Sequence, residues 1–96
     1  MIEVRQTAEF HDFLRRLKDA NGAARIVARI RRMEQGNLGD SKSLRGGLME
    51  MRIDYGPGYR VYFLRQGTAI VILLCGGDKR TQQKDIRRAY ELMEKL

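Results

Sequence analysis

The sequence predicts an α+β fold, one sheet with helices packed on it. Three observations carry this. Two segments in the first third repeat apolar residues at helical spacing. Three segments in the middle alternate or run apolar at strand length, joined by short turns. A last segment returns to helical spacing. The expected order is β-α-α-β-β-β-α, an antiparallel meander with an N-terminal helical hairpin and a C-terminal helix. At 96 residues the chain, 1–96, is expected to form one domain.

Each element has its own signal. In "IEVR", residues 2–5, Ile2 and Val4 alternate with charges, as in a short strand. Thr7 then suits an N-cap, with Glu9 in the first turn. Phe10, Phe13, Leu14 and Leu17 fall at i, i+3, i+4 and i+7, which predicts a helix over 8–19. "DANG", 19–22, reads as a helix stop. Ile26, Val27, Ile30 and Met33 mark a second helix over about 23–35, closed by Gly36. So short a connection predicts an antiparallel helical hairpin. "GNLGDSKSLRGG", 36–47, is glycine-rich and polar and reads as a loop.

In the strand region, "LMEMRID" (48–54) sets Met49, Met51 and Ile53 against Glu50, Arg52 and Asp54. "YRVYFLR" (59–65) sets Val61 and Phe63 against Arg60, Tyr62 and Leu64. Gly56-Pro57-Gly58-Tyr59 between them fits a type II turn, with Pro57 at i+1 and Gly58 at i+2. That corner fixes a register placing Arg52, Arg60 and Tyr62 on one face, opposite Met51, Ile53 and Val61. Gln66-Gly67 turns the chain again. "AIVILLC" (69–75) is apolar throughout, as in a strand covered on both faces. "GGDKRTQQ" is expected to leave the sheet. Ile86, Ala89, Tyr90 and Met93 define a final helix over about 82–95.

Composition narrows the function. The net charge is +7, with basic residues spread from Arg5 to Lys95. A folded surface of that sign attracts polyanions: nucleic acid, an anionic membrane or an acidic partner. The longest apolar run is too short to span a bilayer. "MIEVRQTAEF" has no basic region followed by an apolar one, so no signal peptide is expected. One cysteine, Cys75, fits a reducing cytoplasm and an inert core thiol. One histidine and one cysteine make an ordinary zinc site improbable.

Three basic clusters are candidate sites. Arg52, Arg60 and Tyr62 are cross-strand neighbours about 5 Å apart, within reach of one phosphate. Arginine binds phosphate oxygens with a bidentate fork, and tyrosine stacks on a base or donates a proton. Lys79 and Arg80 follow the apolar strand, where Gly76 and Gly77 would let backbone approach a ligand. Lys42 and Arg45 lie in the loop before residue 48. Against the first two stands a plainer reading. The first is a solvated strand face, with Arg52 paired to Asp54 or Glu50; the second is a charged turn. The arginines of the second helix read as a solvated or partner-facing surface. His11 has no Asp or Cys partner in sequence and reads as surface.

The pattern "GNLGDSKSLRGGLMEMRIDYGPGYRVYFLRQG…ILLCGGDKRTQQKDI" closely resembles the RelE/ParE superfamily of type II toxins. Within it, the chain is similar to the HigB-like addiction module killer proteins. "GPGYRVYF" and "LLCGGDKRTQ" are the most specific parts. The resemblance implies the β-α-α-β-β-β-α fold and a toxin neutralised by a small helix-turn-helix antitoxin, HigA-like. Operator DNA would be contacted only through that complex. It further implies an endoribonuclease that enters the ribosome and cuts mRNA, a ribose 2′-OH attacking the adjacent phosphate. No cofactor, metal or membrane is implied. By position, Arg60, Lys79, Arg80 and Arg52 would form the catalytic set. Lys42 and Arg45 would contact RNA or ribosome. Where RelE has lysines on the second strand, this chain has Met49, Glu50 and Met51, so Glu50 stands as a candidate base and Tyr62 as a stacking or acid group. The tyrosine that RelE carries near the C-terminal segment corresponds to Ile86. A ParE-like gyrase inhibitor without nuclease activity is the alternative.

Overall fold

The chain opens on the strand its alternation predicts, β1 (Glu3–Gln6), in a computed structural model that describes residues Met1–Leu96. The fold is mixed α+β, a five-stranded sheet with three helices. Thr7 caps α1 (Ala8–Arg16), its hydroxyl accepting from the Phe10 N–H at 3.0 Å. The helix is shorter than the apolar spacing predicts, because Leu17 is already extended.

"DANG" is a start rather than a stop. The Asp19 carboxylate accepts from the Gly22 N–H at 3.0 Å and caps α2 (Ala20–Glu34). Gly22 therefore lies inside the first turn of α2. A Cβ there would collide with the ring of Tyr59, so this glycine makes room for an aromatic side chain.

The sheet order is β1-β5-β4-β3-β2. One edge is β2 (Ser41–Ser43), which lies inside the predicted loop. Its three residues are "SKS", with no apolar alternation to announce them. Pairing with Met49–Met51 creates the strand. A 3-10 turn, Arg45–Gly47, then leads into β3 (Leu48–Ile53) and β4 (Tyr59–Gln66). These pair antiparallel, with Arg52 opposite Arg60 and Glu50 opposite Tyr62. The connecting corner is set one residue earlier than a type II turn at 56–59 requires. Its hydrogen bond runs from the Gly58 N–H to the Tyr55 carbonyl at 3.0 Å, around Gly56 (φ 56°) and Pro57. A positive φ at the first central residue belongs to the primed turns, whose twist matches paired strands.

β5 (Ile70–Asp78) runs three residues beyond "AIVILLC", so "GGD" continues the sheet instead of leaving it. It pairs antiparallel with β4 and parallel with β1. The register slips between Tyr62–Cys75 and Phe63–Leu73, leaving Leu74 as a bulge. Leu74 and Cys75 consequently both face the same side.

Two apolar clusters lie on the two faces. Phe10, Ile26, Met33, Met51, Val61 and Phe63 form one beneath α1 and α2. Leu48, Tyr62, Leu74, Cys75, Ala89 and Leu92 form the other beneath α3 (Gln82–Glu94). Gly76 and Gly77 serve this packing and make no room for a ligand. A Cβ on Gly76 would strike the Phe13 ring, and one on Gly77 would strike Asp85 and Thr81. Burial raises the Cys75 thiol to about 12, which fits an inert core position. No helix is long and apolar enough to cross a membrane.

Candidate functional site

Strand alternation delivers four polar side chains to the α3 face. Glu50 and Arg52 come from β3, Arg60 and Tyr62 from β4. What separates them is coverage. The chain leaves β5 at Asp78, makes a 3-10 turn through Lys79–Thr81, and begins α3 at Gln82. Gln82 reaches over the sheet and donates to Glu50 Oε2 at 2.8 Å. The Glu50–Tyr62 pair is thus roofed, and the Arg52–Arg60 pair stays at the rim.

At the covered end, Glu50 and Tyr62 are both 0% exposed. Lys42, on edge strand β2, holds its Nζ 3.9 Å from Glu50 Oε1. The Tyr62 hydroxyl has no hydrogen-bond partner, nor does Glu50 Oε1. Burial, and next the Glu50 charge, push the Tyr62 phenol strongly upward. The reading of Tyr62 as a stacking or acid group is corrected here: no base reaches a ring under α3. The reading of Glu50 as a base fails for the same reason.

At the open end lies a cleft of about 350 Å³ without an apolar residue in its lining. Arg52, Arg60 and Lys79 line it, together with Asp40, Asp54 and the Gly56-Pro57-Gly58 corner. Arg52 pairs with neither Asp54 nor Glu50; its Nη2 contacts Asp40 Oδ1 at 3.2 Å. Behind it, Arg29 of α2 donates to the carbonyls of Arg52 (2.7 Å), Leu38 and Asp40 (3.4 Å each). Burial lowers the Arg29 pKa, and the Asp40 charge opposes that shift. Arg60 bonds no side chain or backbone group, and its Nε is buried without an acceptor. Lys79 packs beside the corner, its Cβ 3.5 Å from where a Gly58 Cβ would stand.

The basic pair after β5 is split. Lys79 faces the cleft. Arg80 is turned onto Asp78, with Nη2 to Oδ2 at 2.9 Å and Nε to Oδ1 at 3.3 Å, and its side chain is 79% exposed. Those hydrogen bonds depress the Asp78 pKa. Neither Lys42 nor Arg45 lines the cleft. Lys42 sits by Glu50, and the Arg45 carbonyl accepts from the Tyr90 hydroxyl of α3. Asp40 and Asp54 line the cleft and Arg29 braces it from behind, none of them expected from the sequence. Asp54 had a signal, sharing the parity of Arg52 just before the corner. Asp40 and Arg29 come to the site only through tertiary packing.

Tyr59, buried between Arg60 and the corner, fastens this end to the helices. Its hydroxyl donates to Asp19 Oδ2 at 2.7 Å. Burial, then this bond, raises the phenol to about 12. The Gly22 N–H, then the Tyr59 hydroxyl, hold Asp19 below the usual carboxylate range. Next door, the Arg25 guanidinium lies 4.2 Å over the Tyr55 ring.

An unpaired guanidinium opposite a second arginine and beside a lysine suits a phosphate. Two forks and an ammonium ion line one cleft, a donor set of the kind that binds anions by charge-assisted hydrogen bonds. The sequence matches the profile of the family described as phage derived protein Gp49-like (DUF891) over residues 12–94. The chain belongs to the Gp49-like family. It is also 50% identical over 95 residues to an uncharacterized protein of Haemophilus influenzae, covering 99% of this chain and 96% of that protein. The Gp49-like match contains the whole cleft, from Asp40 to Lys79.

Proposed function

We propose that this Gp49-like chain is the toxin of a type II toxin–antitoxin system and acts as a ribosome-dependent mRNA endoribonuclease of the HigB kind. The family is a toxin–antitoxin-associated, RelE-like one, which supports the toxin role. The observation that carries the nuclease reading is Arg60, half-buried and free of any internal partner, opposite Arg52 and beside Lys79. In the proposed reaction a ribose 2′-OH attacks the neighbouring phosphate. Arg60 and Arg52 hold the phosphate and stabilise the charge that develops on it. Lys79 adds a third cation, and exposed Arg80 swings from Asp78 to meet the strand. Lys42 and Arg45 contact the RNA or ribosome farther along the α3 side. A HigA-like helix-turn-helix antitoxin neutralises the toxin, and operator DNA is bound through that complex. The site of action is the cytoplasm.

Induction of the protein followed by primer extension on a translated reporter mRNA tests this. New 5′ ends inside translated regions are expected, and their absence despite growth arrest would sink the nuclease reading. One observation favours a second reading. The Glu50–Tyr62 pair, placed where related nucleases carry proton-transfer groups, is sealed beneath α3. A ParE-like gyrase inhibitor needs no such groups. It would give double-strand DNA breaks with mRNA intact.

A further inference from the structure

Attack by a 2′-OH needs a group to take its proton, and the strand position that Glu50 occupies is buried under α3. We propose that Asp54 is the general base of this cleft, an inference that rests on the endoribonuclease reading above.

The cleft contains few groups able to accept a proton. No histidine, tyrosine or cysteine lines it. Its carboxylates are Asp40 and Asp54. Asp40 is committed to Arg52 at 3.2 Å, and its carbonyl takes the Arg52 N–H at 2.9 Å. Asp54 is exposed, and its carboxylate makes no hydrogen bond or ion pair within the chain. Lys79 is exposed as well, and its ammonium group is a donor with no acceptor. One free base thus remains in the cleft, among three cations.

Its backbone is held in place. Asp54 follows the last residue of β3, two positions after Arg52. The backbone on either side is pinned: the Tyr55 N–H donates to the Ile53 carbonyl at 2.9 Å, and the Gly58 N–H to the Tyr55 carbonyl at 3.0 Å. Tyr55 is in turn covered by Arg25. A carboxylate alone would repel a phosphate. Beside Arg52, Arg60 and Lys79 that repulsion is offset, and an acceptor for the 2′-OH proton stands close to the anion site.

The step balances as follows. Asp54 takes the proton from the 2′-OH. The 2′-oxygen forms a bond to phosphorus, and the phosphorus–O5′ bond breaks. The Lys79 ammonium gives a proton to the departing 5′-oxygen. The products are a 2′,3′-cyclic phosphate and a free 5′-hydroxyl end. Water returns the proton from Asp54 to Lys79. A positioned base of this kind contributes about 10²–10⁴ in rate.

Single-turnover cleavage of a defined mRNA on programmed ribosomes tests the assignment, using wild type, Asp54→Asn, Asp54→Glu and Arg60→Ala. Asp54→Asn is expected to lose about 100-fold or more in rate. Its half-saturating concentration should be unchanged or lower, because the cleft loses a repelling charge. Asp54→Glu should recover part of the rate, and Arg60→Ala should lose rate and binding together. Cleavage by Asp54→Asn at the wild-type rate would overturn the Asp54 assignment and leave the nuclease reading standing. So would a loss accompanied by weaker binding and a lower melting temperature, which marks a structural role. Wild-type protein that cuts nothing overturns the nuclease reading and the Asp54 assignment with it.

Discussion

Two rows of side chains on the same face of the same two strands have opposite fates. Glu50 and Tyr62 face each other across β3 and β4, and so do Arg52 and Arg60, two residues farther along. The first row is sealed by α3, and the second opens to solvent. Strand alternation treats the rows alike. The difference is imposed from the C-terminal side, by a 3-10 turn that delays α3 until Gln82 and by Gly77, which lets Asp85 and Thr81 settle on β5. A polar residue at the right parity is therefore a candidate, and the roofing helix selects which candidates meet a ligand.

The largest difference between the two rows is expected at Arg60. Arg60→Ala should lower mRNA cleavage by about 100-fold or more, the scale for removing a preorganised donor from developing charge. Because Arg60 bonds no protein group, urea unfolding of this variant should match wild type. Gly77→Ala attacks the roof. Its new methyl collides with Asp85 and Thr81, and a stability loss of about 1–3 kcal/mol in urea titration is expected. Arg80→Ala sharpens the boundary of the open end. Turned onto Asp78 and well exposed, Arg80 should matter by about tenfold or less in the same cleavage assay.

Tyr62→Phe probes the covered row. Its hydroxyl is buried without a partner, so removing it should stabilise the fold by up to about 1 kcal/mol and leave cleavage unchanged. The smallest effect concerns Asp19, which binds Gly22 and Tyr59. Its pKa is lowered in the folded chain, so the unfolded chain binds a proton first as pH falls. The stabilising contribution is full above the ordinary aspartate value, near pH 4, and is lost as pH falls through the depressed value. Asp19→Asn should flatten the acid limb of a stability–pH curve below about pH 4, and, because the Asp19 carboxylate helps to raise Tyr59, should also weaken the alkaline limb. At high pH the slope has the opposite origin. Tyr59, raised to about 12, loses its contribution as pH climbs from about 10 to 12, a slope Tyr59→Phe should reduce.

Period and turn chemistry made most of the fold legible. The parity of Arg52, Arg60 and Tyr62 and the three meander strands follow from alternation between short turns. β2 was invisible because "SKS" carries no apolar face and exists through its pairing partner. "DANG" misled because Asp and Gly signal both ends of a helix, and only the space taken by Tyr59 explains Gly22 inside one. Gly76 and Gly77 look like a ligand's approach path until Phe13 and Asp85 are found pressed against them. In the cleft, Arg60, Arg52 and Lys79 were readable as cations near the corner, and they line it together. The burial of Tyr62 and Glu50 was not, since it depends on how the last helix lies across the sheet. Nor was the Asp40–Arg52 pair, which joins a loop residue to a strand residue twelve positions on.

The central claim is that the open row binds the scissile phosphate and the covered row does not. Side-by-side cleavage of ribosome-bound mRNA by Arg60→Ala and Tyr62→Phe tests it most directly. A loss of about 100-fold or more is expected in the first and the wild-type rate in the second. Equal losses in both variants, or full activity in Arg60→Ala, would contradict it.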